Sequence, residues 1–250
     1  MIEAAAVICA AGSSSRMGGL KKEYRLLPET GGAQALTVLG AAVSAFAGIS
    51  CISTIVIAVP ADAEIGEAAA RKALPAELLA GERPRLFFVP GGKTRRVSVH
   101  NALSLLAGHN PRYVLIHDGA RPWVSPSLIE RIIEAVQKYP AVIPLLPLTE
   151  TPKETEQPLT DFSADAFSPD AAPILIKRHL RRVTTGAAQT PQAFAFPEIL
   201  QAHEKAAEHE GFENAEYTDD AEVWSAFCGP VAVIPGLSEN RKITFSGDLY

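Results

Sequence analysis

Ala4-Ala5-Ala6-Val7-Ile8-Cys9-Ala10 runs directly into Ala11-Gly12-Ser13-Ser14-Ser15-Arg16-Met17-Gly18-Gly19-Leu20-Lys21-Lys22. The first seven residues are continuously apolar, the pattern of a strand covered on both faces. The residues after them are small, then basic. Small residues let the backbone approach a phosphate chain closely, and successive N–H groups can cradle its oxygens. Arg16 and Lys22 add full charges that can follow phosphates through a reaction. On composition alone, an ordinary strand-to-helix turn with exposed basic residues is an equal reading. Two familiar loops are excluded. No G-x-x-x-x-G-K-[ST] string is present, and Gly12 is followed by three serines, not by a second glycine two places on.

The rest of the chain repeats this strand-then-helix rhythm. Thr54–Val59 (Thr-Ile-Val-Ile-Ala-Val) is a β-branched run, and Arg85–Val89, Tyr113–His117 and Ala141–Leu146 are further strand candidates. Between them the spacing predicts helices over Thr37–Ala47, Asp62–Leu79, Arg95–Leu106 and Ser125–Lys138. Ser125 before Pro126 forms a good N-cap and first-turn pair. Alternating strands and helices predict an α/β fold with a mostly parallel sheet and helices on both faces. Ligands of such sheets bind at the carboxyl ends of the strands, so chemistry is sought just after each one. One segment breaks the rhythm. Thr149 to Pro173 holds Pro152, Pro158, Pro169 and Pro173 among acidic and small residues, with Pro147 just ahead. A long stretch of this kind reads as an extended arm outside the core.

The chain has 250 residues, compatible with one domain over 1–250 that carries an arm at about 149–182. With 47% hydrophobic and 20% charged residues it can bury a sizeable core. A net charge of −5 argues against a general nucleic-acid binder, although locally convergent Lys and Arg can still hold a polyanion. Cys9, Cys51 and Cys228 are far apart and odd in number, so they read as buried thiols and not as a disulfide or metal framework. The apolar N-terminus lacks a basic start, and no apolar stretch approaches the roughly 20 residues that span a bilayer. A cytoplasmic protein with no membrane partner is expected.

Several strings together resemble the 2-C-methyl-D-erythritol 4-phosphate cytidylyltransferases. Ala10-Ala11-Gly12, Arg16-Met17 and Lys22-Glu23-Tyr24 are similar to that family's opening A-A-G-x-x-x-R-M…K-[QE]-[YF]. Gly91-Gly92-Lys93-Thr94-Arg95-Arg96-Val97-Ser98-Val99 resembles G-G-x-x-R-x-x-S-V, and His117-Asp118-Gly119-Ala120-Arg121-Pro122 resembles H-D-[AG]-A-R-P. Glu150-Thr151-Pro152-Lys153 is similar to D-T-x-K. Arg182 followed by Gln189-Thr190-Pro191-Gln192-Ala193-Phe194 is similar to R…Q-T-P-Q-x-F. Thr218-Asp219-Asp220-Ala221 and Asn240-Arg241-Lys242-Ile243-Thr244 resemble T-D-[ED]-A and N-x-K-[IV]-T. The strings fall in family order across nearly the whole chain. Three departures stand out. Lys21 replaces a common proline, Lys93 stands where an acidic residue is common, and Thr185-Gly186 replaces a usual Leu-Trp. The arm is also longer than usual.

The resemblance implies a Rossmann-like nucleotidyltransferase fold with a protruding arm that interlocks two subunits of a homodimer. It implies attack by a polyol phosphate on the α-phosphorus of CTP, with release of pyrophosphate. A phosphomonoester is largely dianionic at pH 7, so the nucleophile needs no base. Arg16 and Lys22 are then expected to stabilise charge on the α-phosphate and the leaving pyrophosphate. Lys242 and Arg182 would hold the acceptor phosphate, with Arg182 supplied by the partner's arm and Arg181 as its rival. Ala10, Ala11, Gly12, Gly91 and Ser98 match the CTP-binding positions. Asp118, Arg121, Thr151 and Thr190 match acceptor-binding positions. Mg²⁺ would be held mainly by the CTP phosphates, without a dedicated protein cage. His117 reads as structural, Asp219 and Asp220 as charges at a helix N-terminus, and His203 with His209 as a solvated helix face. A ribitol 5-phosphate cytidylyltransferase and a non-catalytic nucleotide sensor are the rival readings. An NAD-dependent oxidoreductase would need the missing glycine fingerprint.

Overall fold

A computed structural model describes residues 3–14, 21–28, 35–62, 64–159, 172–213 and 217–249. The chain opens with β1 (Ala4–Cys9), α1 (Val38–Ala47), β2 (Ile52–Val59), α2 (Glu67–Lys72), α3 (Ala76–Ala80) and β3 (Arg85–Pro90). It continues with α4 (Arg95–Leu106), β4 (Tyr113–Asp118), α5 (Pro126–Val136), β5 (Ala141–Pro147), β6 (Lys153–Thr155), β7 (Ile176–His179) and β8 (Gly186–Ala188). It closes with β9 (Gln192–Ala195), α6 (Glu198–Glu213), α7 (Asp220–Phe227) and β10 (Ala232–Pro235).

The central sheet has the order β3-β2-β1-β4-β9-β5-β10, with β8 added on β5. Pairs β1–β2, β2–β3, β1–β4 and β5–β10 are parallel. The period of two along β1 divides the core. Ala4, Ala6 and Ile8 face one layer with Leu39, Phe46, Leu128 and Ile132. Ala5 and Val7 face the other with Val99, Leu103, Leu106 and Trp224. Helices α1 and α5 therefore cover one face, and α4, α6 and α7 the other. A large aliphatic side chain fully buried in this way stabilises by about 1.5–3 kcal/mol. Helix starts follow local chemistry. The Thr37, Thr94 and Ser125 hydroxyls accept from the backbone N–H of Gly40, Val97 and Leu128.

The structure departs from the sequence reading in several places and gives the arm its form. The helix predicted over Asp62–Leu79 is two short helices, because Pro75 lacks an N–H and cannot continue α2. The Gln192–Ala195 strand has no counterpart among the predicted elements. It inserts antiparallel between β4 and β5. The arm forms a two-stranded antiparallel ribbon, Lys153–Thr155 with Ile176–His179, separate from the central sheet. Its residues 160–171 lie outside the described set. The cysteines also differ from the reading as buried thiols. Cys9 and Cys51 are half-buried and Cys228 is exposed, because its position ends α7 at the surface. Among the described residues no helix is long and apolar enough to cross a membrane.

Candidate active site

A cleft of about 620 Å³ opens at the carboxyl edge of β1 and β4. One wall is the loop after β1, with Gly12, Ser13 and Ser14, together with Lys22. The facing wall is the start of α4, with Gly92–Arg95 and Ser98. Asp118, at the end of β4, forms the floor, and Lys242 and Thr244 enter from the C-terminal segment. Four cations (Lys22, Lys93, Arg95 and Lys242) thus border it against two carboxylates, Glu23 and Asp118.

Asp118 organises the floor. Lys242 Nζ lies 2.9 Å from its Oδ2. Arg121 Nε is 3.6 Å from the same oxygen, and Arg95 Nε is 3.4 Å from Oδ1. Burial alone would raise this carboxyl group, but Lys242, Arg95 and Arg121 outweigh it and hold it far below the usual carboxylate range. Asp118 is therefore ionised at any working pH, and three cations converge on one anion. Arg95 is held again from behind, by Asp220 at 2.7 Å. Burial would raise Asp220 too, yet Arg95 and His203 keep it below its ordinary value.

A ring of hydrogen bonds fixes these groups. The buried His117 offers Nε2 to the Arg121 carbonyl at 3.1 Å, which can only accept. Burial pushes this imidazole down to about 4, so it is neutral and its Nδ1 must accept. Nδ1 lies 3.0 Å from the Thr190 hydroxyl, which in turn accepts from the Asp118 N–H at 3.1 Å. One proton arrangement satisfies every member. Gln189 donates to the Leu237 carbonyl and accepts from its N–H, and Asn240 donates to the Thr190 carbonyl. Arg121 Nη1 donates to the Asn240 carbonyl at 2.8 Å. Together these bonds seat the Asn240–Thr244 segment and so place Lys242. Gln192 serves the other side, donating to Asp219 and accepting from the Ala221 N–H. Asp219 caps α7, and this seats Asp220 behind Arg95. Gln189 and Gln192 are two clamps on the two segments that carry charge to the cleft.

The α4 wall depends on close backbone approach. A Cβ on Gly91 would meet Ala11 Cβ at 2.3 Å, and one on Gly92 would meet Val97 Cγ1 at 2.1 Å. The Ser98 hydroxyl accepts from the Gly92 N–H and donates to the Thr94 carbonyl. Its proton is committed to the turn, which leaves an acceptor lone pair for a ligand. Cys9 borders the cleft, but burial pushes its thiol up to about 12, so it offers no thiolate at neutral pH.

The sites named from sequence distribute as follows. Ala11, Gly12, Lys22, Ser98, Asp118 and Lys242 line the cleft. Ala10, Gly91, Arg121 and Thr190 support it from behind, and Ala10 and Thr190 are buried. Arg16 lies outside the described residues. Thr151 and Arg182 are exposed on the arm and do not line the cleft, and Arg182 Nη1 donates to the Thr149 carbonyl at 2.6 Å. The reading of His203 as a solvated residue is corrected. It is fully buried beside Asp220, because α6 packs on α4 through that face. Sequence reasoning gives Arg95 no role and Asp220 only that of a helix N-terminal charge. Their signal is an arginine just after a Gly-Gly turn and an acidic pair at a helix start. Among the described residues no group of three His, Cys, Asp or Glu side chains could hold a metal ion. The Asp118 carboxylate is already taken by cations.

The fold and the cleft define a Rossmann-like α/β protein with a cation-lined ligand site at the carboxyl edge of its sheet. A sequence model of the family IspD, 2-C-methyl-D-erythritol 4-phosphate cytidylyltransferase, matches residues 4–250. The bifunctional enzyme IspD/IspF of Brucella anthropi is 34% identical over 250 residues, covering 98% of this chain and 53% of that protein. The protein of the same name from Rhodospirillum rubrum is 35% identical, covering 100% and 56%. The chain thus spans about half the length of the curated relatives it matches. The crystal structure of 4-diphosphocytidyl-2C-methyl-D-erythritol synthase from Anaerococcus prevotii aligns with a TM-score of 0.73 at 26% identity, covering 99% and 93% of the two chains. That of 2-C-methyl-D-erythritol 4-phosphate cytidylyltransferase from Thermus thermophilus aligns with a TM-score of 0.68 at 28% identity, covering 99% and 96%. The chain belongs to the 2-C-methyl-D-erythritol 4-phosphate cytidylyltransferase family.

Proposed function

We propose that this protein transfers the cytidylyl group of CTP to 2-C-methyl-D-erythritol 4-phosphate. The products are 4-diphosphocytidyl-2-C-methyl-D-erythritol and pyrophosphate, and the step serves isoprenoid precursor synthesis. The observation that carries this reading is the convergence of Lys242, Arg95 and Arg121 on Asp118, facing Lys22 and the Gly12–Ser14 loop across one cleft. Such a site suits two phosphorylated reactants that repel each other.

The acceptor phosphate attacks the α-phosphorus in line, and the bond to the β-phosphate bridging oxygen breaks. The attacking oxygen is already ionised, so no residue need remove a proton. Positioning and charge neutralisation carry the rate. Lys242 holds the acceptor phosphate, and Asp118, backed by Arg121, meets the polyol side. Lys22 and Arg16 neutralise charge on the α-phosphate and the departing pyrophosphate. The Ala10–Gly12 and Gly91–Ser98 walls take the cytidine. Mg²⁺ would be held mainly by the CTP phosphates and would supply further charge neutralisation. The cleft fits that arrangement because its carboxylates are engaged by protein cations and leave the ion to the phosphates. We further propose a homodimer in which the arm of one copy brings Thr151 and Arg182 to the cleft of the other. Their exposure, and that of Leu175, Ile176 and Val183 on the same arm, supports this. Three free thiols suit a reducing cytoplasm.

The test is pyrophosphate release from CTP and Mg²⁺ by the full chain, with 2-C-methyl-D-erythritol 4-phosphate and ribitol 5-phosphate offered separately. Release with the first and little with the second is expected. Release with the second alone, or with neither, overturns the reading.

A further inference from the structure

Lys21 and Glu23 flank Lys22, and both are buried at the margin of a cleft that faces phosphates. Lys21 is 9% exposed and Glu23 3%. Lys21 Nζ lies 3.1 Å from Glu23 Oε2 and donates to the Gly12 carbonyl at 2.6 Å. Ser14 Oγ donates to the same Glu23 oxygen at 3.3 Å and accepts from the Lys22 N–H at 3.3 Å. Gly12, Ser14, Lys22 and Glu23 all border the cleft, whereas Lys21 stands behind them. The arrangement poses an electrostatic problem. A carboxylate and a carbonyl oxygen lie in the wall that is to meet a triphosphate, and both oppose an anion at short range. One buried ammonium engages the two of them.

We propose that Lys21 is a positioning residue for nucleotide binding. Its ammonium offsets the Glu23 charge, so that the Gly12–Ser14 wall meets the triphosphate without an opposing anion. The proposal rests on the reading of the cleft as the CTP site. It differs from a simple clasp between loop and turn in one measurable way. A clasp fails alike when either partner is removed. A charge-cancelling cation fails only when it is removed and its carboxylate remains, since breaking a buried pair strands a charge but replacing both partners does not.

The experiment is calorimetric titration of the full chain with CTP and Mg²⁺. Wild type is compared with Lys21→Met, Glu23→Gln and the double variant. Lys21→Met is expected to raise the Kd for CTP about tenfold or more. Glu23→Gln and the double variant are expected within about threefold of wild type. Weakening of Glu23→Gln as large as that of Lys21→Met overturns the proposal, as does a Lys21→Met variant that binds like wild type. Should Lys21→Met fail to fold, the other two variants decide. A double variant about tenfold weaker than wild type overturns the proposal, and one near wild type upholds it. Wild type that folds but binds no CTP instead rejects the assignment of the cleft itself.

Discussion

The cleft and the arm are both rich in basic residues, but they hold them differently. In the cleft, Arg95 and Lys242 are tied to Asp118, Arg95 is tied again to Asp220, and each carboxylate sits on a segment seated by its own hydrogen bonds. On the arm, Lys177 and Arg178 share one half-buried carboxylate, Glu154, and Arg182 leans on a backbone carbonyl in solvent. The first set is placed by the interior of its own chain. The second set is placed by little within its own chain. Preorganisation is thus a property of the core, and the arm supplies reach.

The largest effect is expected where the contrast is sharpest. Lys22→Ala should lower turnover by about 10²–10³-fold while the protein stays folded, judged by steady-state rates beside circular dichroism. Near-normal turnover would remove Lys22 from its role. Next comes the rigidity of the floor. His117 has its pKa lowered to about 4 from 6.5, so the unfolded chain binds more protons between those values and stability falls as pH drops through that window. Denaturant titrations from pH 6.5 down to 4 should show wild type losing on the order of 3 kcal/mol more than His117→Gln. Equal losses would mean that His117 is protonated at no cost. Arg182→Ala should raise the KM for the acceptor about tenfold and move that for CTP by less than about twofold. An unchanged acceptor constant would shift the role to Arg181. The smallest effect belongs to the arm's own ion pairs. Glu154→Gln should leave the melting temperature unmoved, because its partners Lys177 and Arg178 are exposed and such surface pairs gain little against solvent and salt. A clear drop would show that the arm is internally braced after all.

Local chemistry made part of this molecule readable. Ser125 before Pro126 announced the start of α5, and the apolar run of β1 announced a strand buried on both faces. Pro75 carried a stop signal that the Ala-rich run around it obscured. The β9 strand could not be read in the same way. Gln192–Ala195 is short, and its partners β4 and β5 lie far away in sequence, so nothing local fixes its pairing. The same holds at the site. Asp118, Lys242 and the loop after β1 stand in recognisable strings, but the link from Asp220 through Arg95 to Asp118 joins three elements that only the fold brings together. His203 looked polar and helical, and its burial depends on which side of α6 meets α4.

The contact at Gly91 has a consequence for redesign. The two walls of the cleft touch there through the Gly91 backbone and the Ala11 methyl group, with the Ser98 hydroxyl close by. Even alanine would have to displace Ala11. Ligand range cannot be tuned at that point by exchanging side chains. A library aimed at a different ligand should leave residue 91 alone and sample Lys93, which borders the open space.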